Sequence, residues 1–383
     1  MNFDLCEEQV QIRHTVRELC AREFAPHAAL WDRESEVPHS AVETLAEQGF
    51  LGMAVPEEWG GIGYDARTIS LVVEEIAYVS AALAIMIAVH NSVGLIPVYR
   101  YATDEQKRRF LPRLVSKHMS AFSLSEPGAG SDAGALEASA VRDGDHYVLN
   151  GSKNWVTNGV RAGIYLIFAR TDKAAGSRGI SAFIVEKGTP GLIPGKAEDK
   201  MGLRGSDTIA LTLEDLRVPV ANRLGAEGQG FKVALSALDA GRIGVASQAL
   251  GVMRAARDEA VKYSQQRHAF GGPLAKIQAI QFKLAEMERR VQCSRLLIQS
   301  AAWMRDAGQP FGRASAMAKL YATEAATWVT HQAIQIHGGY GYVKEYAVER
   351  YYRDARIMEI YEGTSEIQRL VIARSLLKDG VKV

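Results

Sequence analysis

One carboxylate near the C-terminus has the surroundings of a catalytic base. Glu362 follows an apolar pair and precedes Gly363. Ser365 and, three residues later, Gln368 form the pattern of a capping box, which predicts a helix over 366–378. The turn before a helix exposes free backbone N–H groups, which bind negative charge. A carboxylate there could take a proton from a substrate whose oxygen those groups hold, although such a glutamate taken alone is more often a surface residue.

A buried cation is predicted on a helix face in the same half of the chain. Leu235, Leu238, Arg242, Val245 and Ala249 fall at alternating spacings of three and four, which places them on one face of a helix. A cation on that apolar face needs either a buried acid or an anionic ligand.

Two segments in the middle of the chain could border a flat or phosphorylated ligand. Residues 128–133 match the glycine spacing of a dinucleotide-binding loop, but Pro127 precedes them and strand patterns follow, so a Rossmann site is not predicted. The loop could still bring backbone N–H groups to a ligand, or be a plain turn. Residues 155–159 place an aromatic ring and a hydroxyl on alternate positions of a strand end, where they could meet a flat cofactor. A tryptophan in the core is the competing interpretation.

Two later segments leave similar alternatives open. Residues 267–271 contain a cation and an aromatic ring followed by glycines. This pattern could bind a pyrophosphate and an adenine, or it could belong to a solvated loop. Residues 335–342 place glycines after a helix, either as a C-cap or as a backbone surface against a ligand. His331 and His337 lack companion ligands, so no metal site is predicted.

The composition is that of an ordinary globular protein. With 45 basic and 44 acidic residues among 383, the chain gives no electrostatic argument for nucleic acid or an anionic membrane. Three scattered cysteines fit a reducing compartment, and the N-terminus lacks a signal-peptide pattern, so a cytoplasmic protein is expected. Residues 81–98 are apolar but contain polar residues and a proline, which favours a buried core helix over a membrane span.

The order of patterns along the chain predicts three domains of a mixed α+β protein. Helical periodicity fills residues 1–118. Strand patterns and a hairpin around Asp143 and Gly144 occupy 119–222. Helices return over 223–383, including a long one at 313–337. No alternating βαβ pattern is present.

Taken together and in order, these segments resemble the acyl-CoA dehydrogenase family of flavoproteins, along essentially the whole chain. The resemblance implies an N-terminal helical domain, a middle β-barrel or sandwich domain and a C-terminal four-helix bundle. It rests on residues 125–132, 155–159, 238–242, 335–339 and 361–364, and on Arg267 with Phe270, Gly271 and Gln278.

The resemblance also implies a role for individual residues around FAD and acyl-CoA. FAD contacts are implied for Phe122, Leu124, Ser125, Gly130, Ser131, Trp155, Thr157, Thr364 and Glu366. A neighbouring subunit of a homotetramer, a dimer of dimers, would contribute Arg267, Phe270, Gln278, Gln335, Gly338 and Gly339 to the far end of the cofactor. Acyl-CoA contacts are implied for Ser131, Asp239, Arg242 and Gly363.

The implied reaction is the α,β-dehydrogenation of a thioester to the trans-2-enoyl-CoA. Glu362 would take the α-proton while the β-carbon gives a hydride to flavin N5, and the Glu362 N–H would bind the thioester carbonyl. Burial should raise the pKa of Glu362. Some relatives carry the base one residue before the arginine, where this chain has Gly241, which cannot serve.

The substrate and electron acceptor are the least constrained expectations. The segments around Arg242 and Glu362 look most like short-chain, butyryl-type members, and residues 337–348 also resemble short-branched types, so a short or short-branched acyl-CoA is expected. Electrons would pass to an electron-transferring flavoprotein. The alternatives are an acyl-CoA oxidase that uses oxygen and a non-dehydrogenase flavoprotein of this fold that binds DNA.

Overall fold

The computed structural model describes residues 4–379, and its elements follow the predicted order of helices, strands and helices. The first region contains α1 (Glu7–Leu19), α2 (Ala28–Glu34), α3 (His39–Glu47), α4 (Ala66–Val79), α5 (Ala81–Val89), α6 (Ile96–Tyr101) and α7 (Asp104–Ser116). The middle region contains β1 (Ser120–Ser123), β2 (Ser139–Asp143), β3 (His146–Thr157), β4 (Ile164–Arg170), β5 (Ile180–Glu186), β6 (Leu192–Ala197), β7 (Thr208–Pro219) and β8 (Arg223–Leu224). The last region contains α8 (Gly230–Gln266), β9 (His268–Ala269), β10 (Gly272–Pro273), α9 (Gln278–Asp306), α10 (Gly312–His337), α11 (Val348–Arg356) and α12 (Ser365–Asp379).

The apolar segment Ala81–Tyr101 lies inside the protein, as the sequence predicts for a core helix. It is the one helical stretch among residues 4–379 that is long and apolar enough to cross a membrane, and its most apolar window is buried throughout. A π-helical turn at His90–Leu95 separates α5 from α6. This turn packs between β1 and α8, because a Cβ on Gly94 would lie 1.8 Å from Ser120 Oγ.

The middle region is one eight-stranded sheet in the order β6-β7-β3-β2-β4-β5-β8, with β1 parallel to β4. The predicted hairpin forms, since β2 and β3 pair antiparallel through Asp143 and His146. β4 and β5 are apolar on both faces because each face of the sheet is covered by other residues at these strands. Leu166 and Ile184 pack with α7 and the start of α8, whereas Tyr165 packs against residues of β3 and β7.

The long helices α8, α9 and α10 form the hydrophobic core of the last region. Val245, Met287 and Val329 are fully buried in one apolar cluster with many alanines, which let the helices approach closely. Leu235, predicted on the buried face of α8, is instead 44% exposed. Leu238, one turn later on that face, packs against this cluster, so the buried stripe begins there.

A buried ion network joins the N-terminal helices to this bundle. Glu74 and Glu75 of α4 are 5% and 2% exposed, and Arg254 of α8 contacts them at 2.7 and 2.9 Å. Arg295 of α9 reaches Glu74 at 2.7 Å, and Arg17 of α1 reaches Glu75 at 2.9 Å. Burial acts to raise the pKa of Glu75, but the bonds from both arginines outweigh it and leave that pKa lowered. The network therefore fixes α4, and with it the π-helical turn, against α8.

Replacing Arg254 with methionine should destabilise the protein strongly, because it leaves two buried carboxylates short of a partner. We expect a loss of about 3–5 kcal/mol in the apparent free energy of unfolding, measured by urea titration. Arg289→Met is the matched control: Arg289 pairs with Glu286 on the surface of α9, so its loss should change stability little. Equal effects of the two substitutions would contradict this account.

Candidate active site

Glu362 lies in a left-handed turn immediately before α12. Its φ is 51° and that of Gly363 is 92°. Thr364 Oγ1 accepts the N–H of Ile367 at 3.3 Å and so caps the helix. The cap predicted at Ser365 is therefore wrong by one residue, because α12 begins at Ser365 itself.

The side chain of Gln368 holds the turn instead of completing a capping box. Its Nε2 donates to the carbonyl oxygens of Gly363 at 2.8 Å and Glu362 at 3.2 Å. Lys319 of α10, which is fully buried, donates from Nζ to the same Gly363 oxygen at 2.8 Å. Two donors thus converge on one carbonyl of the turn.

Tyr361, the residue before the base, is held from the opposite side. Its hydroxyl donates to Oε1 of the buried Gln248 on α8. Gln248 Nε2 in turn donates to the carbonyl oxygen of Ala81 at 2.8 Å. The start of α5, the middle of α8 and the turn are thereby linked.

The Glu362 carboxylate lies directly against the backbone of α8 at Gly241. A Cβ at this glycine would lie 2.0 Å from Glu362 Oε2 and 3.2 Å from Val93 Cγ1 of the π-helical turn. A side chain at 241 would therefore require the Glu362 carboxylate to shift. The glycine that rules out a base on α8 also makes room for the Glu362 carboxylate on the turn.

The charge state of Glu362 is set by burial against two cations. Oε2 is buried and, within residues 4–379, has no hydrogen-bond partner. Burial raises the pKa of Glu362 to about 7, against the opposing charges of Lys319 and Arg242. The pKa of Glu362 is therefore raised, as the sequence predicts, without a ligand over the turn.

Arg242 has an acidic partner, the first of the two alternatives raised by its place on the helix, and the anionic ligand stays a prediction. Its Nη1 lies 2.5 Å from Oδ1 of Asp239, one turn earlier on α8. Its Nε is buried and unpartnered within the described residues, and burial lowers the pKa of Arg242. The pair thus leaves one guanidinium donor unused.

The predicted flavin-side residues of the β region lie together around β1 and the end of β3. Phe122 packs its ring 4.9 Å from that of Phe168, and it contacts the apolar cluster that Leu238 and Tyr361 also contact. Leu124 is buried and Ser125 and Thr157 are half-buried. The carbonyl of Ser125 accepts the N–H of Asn154 at 2.9 Å, which joins the β1 loop to β3.

Trp155 is exposed, which excludes the interpretation as a core tryptophan. It is 64% exposed and has a φ of 59°. The pairing of β3 with β7 shifts register between Lys153 and Val156, and such an irregularity turns a side chain away from its regular face. The buried Asn158, with a φ of 62°, closes the strand by donating to the carbonyl of Met86 at 3.0 Å.

A buried ion pair holds the glycine-rich loop against this strand end. Lys153 is fully buried, and its Nζ contacts Glu126 Oε1 at 2.7 Å and the carbonyl of Leu124 at 3.3 Å. Glu126 also accepts the N–H groups of Glu137 at 2.6 Å and Ala138 at 3.0 Å. The loop is therefore rigid at its base, while Gly130 and Ser131 at its tip are exposed.

A second group of predicted residues lies far from Glu362 in the same chain. Arg267 lies 5.6 Å from the ring of Tyr340, and Phe270 is 97% exposed with a φ of 51°. From Arg242 to the end of α8 is about 36 Å at 1.5 Å per residue. The structure thus separates this group from the base rather than bringing them together. Its other predicted members are all exposed: Gln278, Gln335, Gly338 and Gly339.

The remaining predicted residues flank the base. Gly363 and Thr364 are half-buried in the turn, and Glu366 is exposed on the first turn of α12. Its own backbone N–H and the Thr364 hydroxyl lower the pKa of Glu366. Among residues 4–379, no group of three or more His, Cys, Asp and Glu side chains is placed to bind a metal.

Sequence reasoning missed Lys319, the actual hydrogen bonds of Gln368 and the Lys153–Glu126 pair. A signal for Lys319 existed, because it interrupts a stripe of small residues just as Arg242 interrupts an apolar one. Lys153 and Lys319 each contact a residue at least 27 positions away in the sequence. The partners of Gln368 lie much closer to it. Only the fold reveals those contacts.

Three family models match the chain in the order of its regions. "Acyl-CoA dehydrogenase, N-terminal domain" matches residues 6–118, the middle-domain model 121–216 and the C-terminal-domain model 228–377. The short-chain specific acyl-CoA dehydrogenase of Rattus norvegicus mitochondria is 50% identical over 378 residues, which are 98% of this chain and 92% of that protein.

Solved structures agree over the same length. Butyryl-CoA dehydrogenase from Megasphaera elsdenii matches with a TM-score of 0.97 and 43% identity, over 98% of this chain and 100% of that one. A chain from the structure described as "Electron transferring flavoprotein of Acidaminococcus fermentans" matches with a TM-score of 0.97 and 45% identity, over 99% and 100%. Other solved relatives hold FAD or FADH2. The chain belongs to the acyl-CoA dehydrogenase family.

Proposed function

We propose that this enzyme removes the α-proton of a short or short-branched acyl-CoA with Glu362 and oxidises the thioester to its trans-2-enoyl-CoA. The observation that carries the proposal is the Glu362 carboxylate, whose Oε2 is buried against Gly241 without a hydrogen-bond partner in the described residues and whose pKa is raised to about 7. A general base works best when its pKa lies near the operating pH. A solvated glutamate would be too weak a base.

FAD is the cofactor of this family, and the residues present fit it. Trp155 offers an exposed ring at the end of β3, beside the hydroxyl of Thr157 and the open tip of the loop at Gly130. A Cβ on Gly130 would meet no atom within 4 Å, so a ligand can approach its backbone closely. When bound, FAD supplies the hydride acceptor.

The turn itself can stabilise the negative charge that develops on the thioester oxygen. Within residues 4–379, the N–H of Glu362 makes no hydrogen bond, and the left-handed turn is held from both sides by Tyr361 and Gln368. A fixed N–H donor loses little on reorganisation as the enolate-like charge forms. Glu362 thus supplies both groups: its carboxylate takes the α-proton, and its backbone N–H binds the thioester carbonyl.

The remote group around Arg267 favours an assembly of several copies. Because α8 separates it from Arg242 by about 36 Å, more than an extended dinucleotide cofactor spans, it suits the cofactor of another subunit. The exposure of Phe270 leaves that surface free for such a contact. We propose the dimer of dimers that the family resemblance implies.

The substrate class and acceptor rest on the relatives. The rat and Megasphaera proteins are named for short-chain and butyryl substrates, and the Acidaminococcus structure for an electron-transferring flavoprotein. We therefore propose butyryl-CoA or a short-branched equivalent as substrate and an electron-transferring flavoprotein as acceptor. A cytoplasmic location stays a prediction from the sequence.

Glu362→Gln should keep FAD and bind butyryl-CoA but fail to bleach the flavin, because an amide cannot take the α-proton. In anaerobic stopped-flow mixing, we expect the bleaching rate to fall at least about 10²–10⁴-fold. Glu345→Gln, an exposed loop glutamate, is the control and should bleach at the normal rate. Normal bleaching by Glu362→Gln would remove this residue from the role of base. The same assay with isobutyryl-CoA decides between straight and branched substrates.

The bleaching rate should rise with pH through about 7. Glu362 acts only when unprotonated, and its raised pKa keeps it protonated in weak acid, so the rate should fall about tenfold per unit below that value. Single-turnover rates from pH 5.5 to 9 measure this limb. A limb centred near the ordinary glutamate value of 4.5 would contradict it.

Gly241→Ala should disable the enzyme without removing its cofactor, since the new Cβ would displace the carboxylate of Glu362. We expect the bleaching rate to fall about 100-fold while FAD content stays normal, because small misplacements of a reacting group are costly. Gly244→Ala on the same helix is the control, since its Cβ would meet Ala88 Cβ at 3.4 Å, an ordinary contact. Wild-type rates in Gly241→Ala would show that the carboxylate works from elsewhere.

A further inference from the structure

Lys319 is a fully buried lysine whose hydrogen bonding is unusually sparse. Lysine is rarely buried unless it is paired. Within residues 4–379, Lys319 has no carboxylate at salt-bridge distance, and its one hydrogen bond goes to the carbonyl of Gly363. Burial lowers the pKa of Lys319 to about 8, against the attraction of Glu362. A buried cation kept under these conditions needs a reason beyond packing.

The hydrogen bond alone does not supply that reason. Gln368 Nε2 already donates to the Gly363 oxygen at the same 2.8 Å, and it also holds the carbonyl of Glu362. A second neutral donor would fix the turn as well as an ammonium group. What Lys319 adds is a positive charge close to the residue that precedes Gly363, which is the proposed base Glu362.

The charges that face this position come from four elements. Glu362 and Lys319 attract each other, and Arg242 of α8 acts on both, favouring the charged form of Glu362 and opposing that of Lys319. Glu359, before the turn, and Glu366, on α12, favour the charged lysine. Burial raises the pKa of Glu362 and lowers that of Lys319, and their mutual attraction opposes both shifts. The attraction therefore favours the state in which Glu362 is unprotonated and Lys319 is protonated.

We propose that Lys319 is a positioning residue for Glu362, which holds the turn through the Gly363 carbonyl and by its charge keeps the base unprotonated near neutral pH. The inference rests on the proposed function of Glu362. It assigns to α10 a part in the reaction although Lys319 itself touches neither substrate nor the reacting atoms.

The test compares the charge of Lys319 with its hydrogen bond. Lys319→Met removes both, Lys319→Gln removes the charge and keeps a donor, and Gln368→Met removes the neutral donor and keeps the charge. We expect both Lys319 variants to shift the ascending limb of the bleaching rate to higher pH, with about a tenfold loss below neutral pH. Gln368→Met should lower the rate at every pH and leave the limb in place.

A second readout does not depend on turnover. Infrared spectra of each FAD-loaded holoenzyme, recorded across pH without substrate, follow the protonated carboxyl stretch of Glu362, identified by its absence in Glu362→Gln. This titration should move to higher pH in Lys319→Gln and stay in place in Gln368→Met. FAD content and the thermal unfolding midpoint show which variants are folded, and Lys319→Gln serves if Lys319→Met is not.

The outcomes separate this inference from the function on which it rests. An unmoved limb and carboxyl titration in a folded Lys319 variant would overturn the inference, even if Glu362→Gln is inactive. Equal shifts in the Lys319 and Gln368 variants would assign the effect to the shape of the turn and also overturn it. An active Glu362→Gln would instead overturn the proposed base, whatever the Lys319 variants do.

Discussion

The structure depends on one carboxylate oxygen, Oε2 of Glu362, that is buried and lacks a hydrogen-bond donor within the described residues. Glu362 Oε2 lies against the bare backbone of Gly241, and the protein lets the resulting burial raise its pKa. Burying a carboxylate oxygen without a hydrogen bond costs free energy, and the contacts that hold the surrounding turn in place offset this cost. Gln248, Gln368 and Lys319 hold the turn from three helices.

The arrangement of the domains follows from this requirement. Gly241 belongs to α8, Val93 to the π-helical turn and Glu362 to the turn before α12, so Glu362 lies where separate regions of the chain meet. The Glu74–Arg254 network fixes α4 against α8 and thereby supports this junction. The sheet adds its own rigid edge, where Lys153 and Glu126 fix the loop beside Trp155.

Much of this could be predicted from the sequence because the signals are local. Helix periodicity, the turn around Gly144 and the Glu362 segment each lie within a few residues. β6 was not predicted, because it is an exposed edge strand with Pro194 inside it and little alternation of burial. Trp155 misled as a core candidate because a register shift, invisible in sequence, turns it outward. Lys319 and the role of Gly241 required contacts between residues more than 40 positions apart.

The continuity of α8 has a consequence for how this chain can change. One uninterrupted helix, Gly230–Gln266, contains Gly241 in its first half and ends directly before Arg267. Each residue inserted between them would advance the far end by about 1.5 Å and rotate it by about 100°. The helix therefore fixes both the distance and the relative rotation between these two positions. We expect insertions to be confined to the loops outside it.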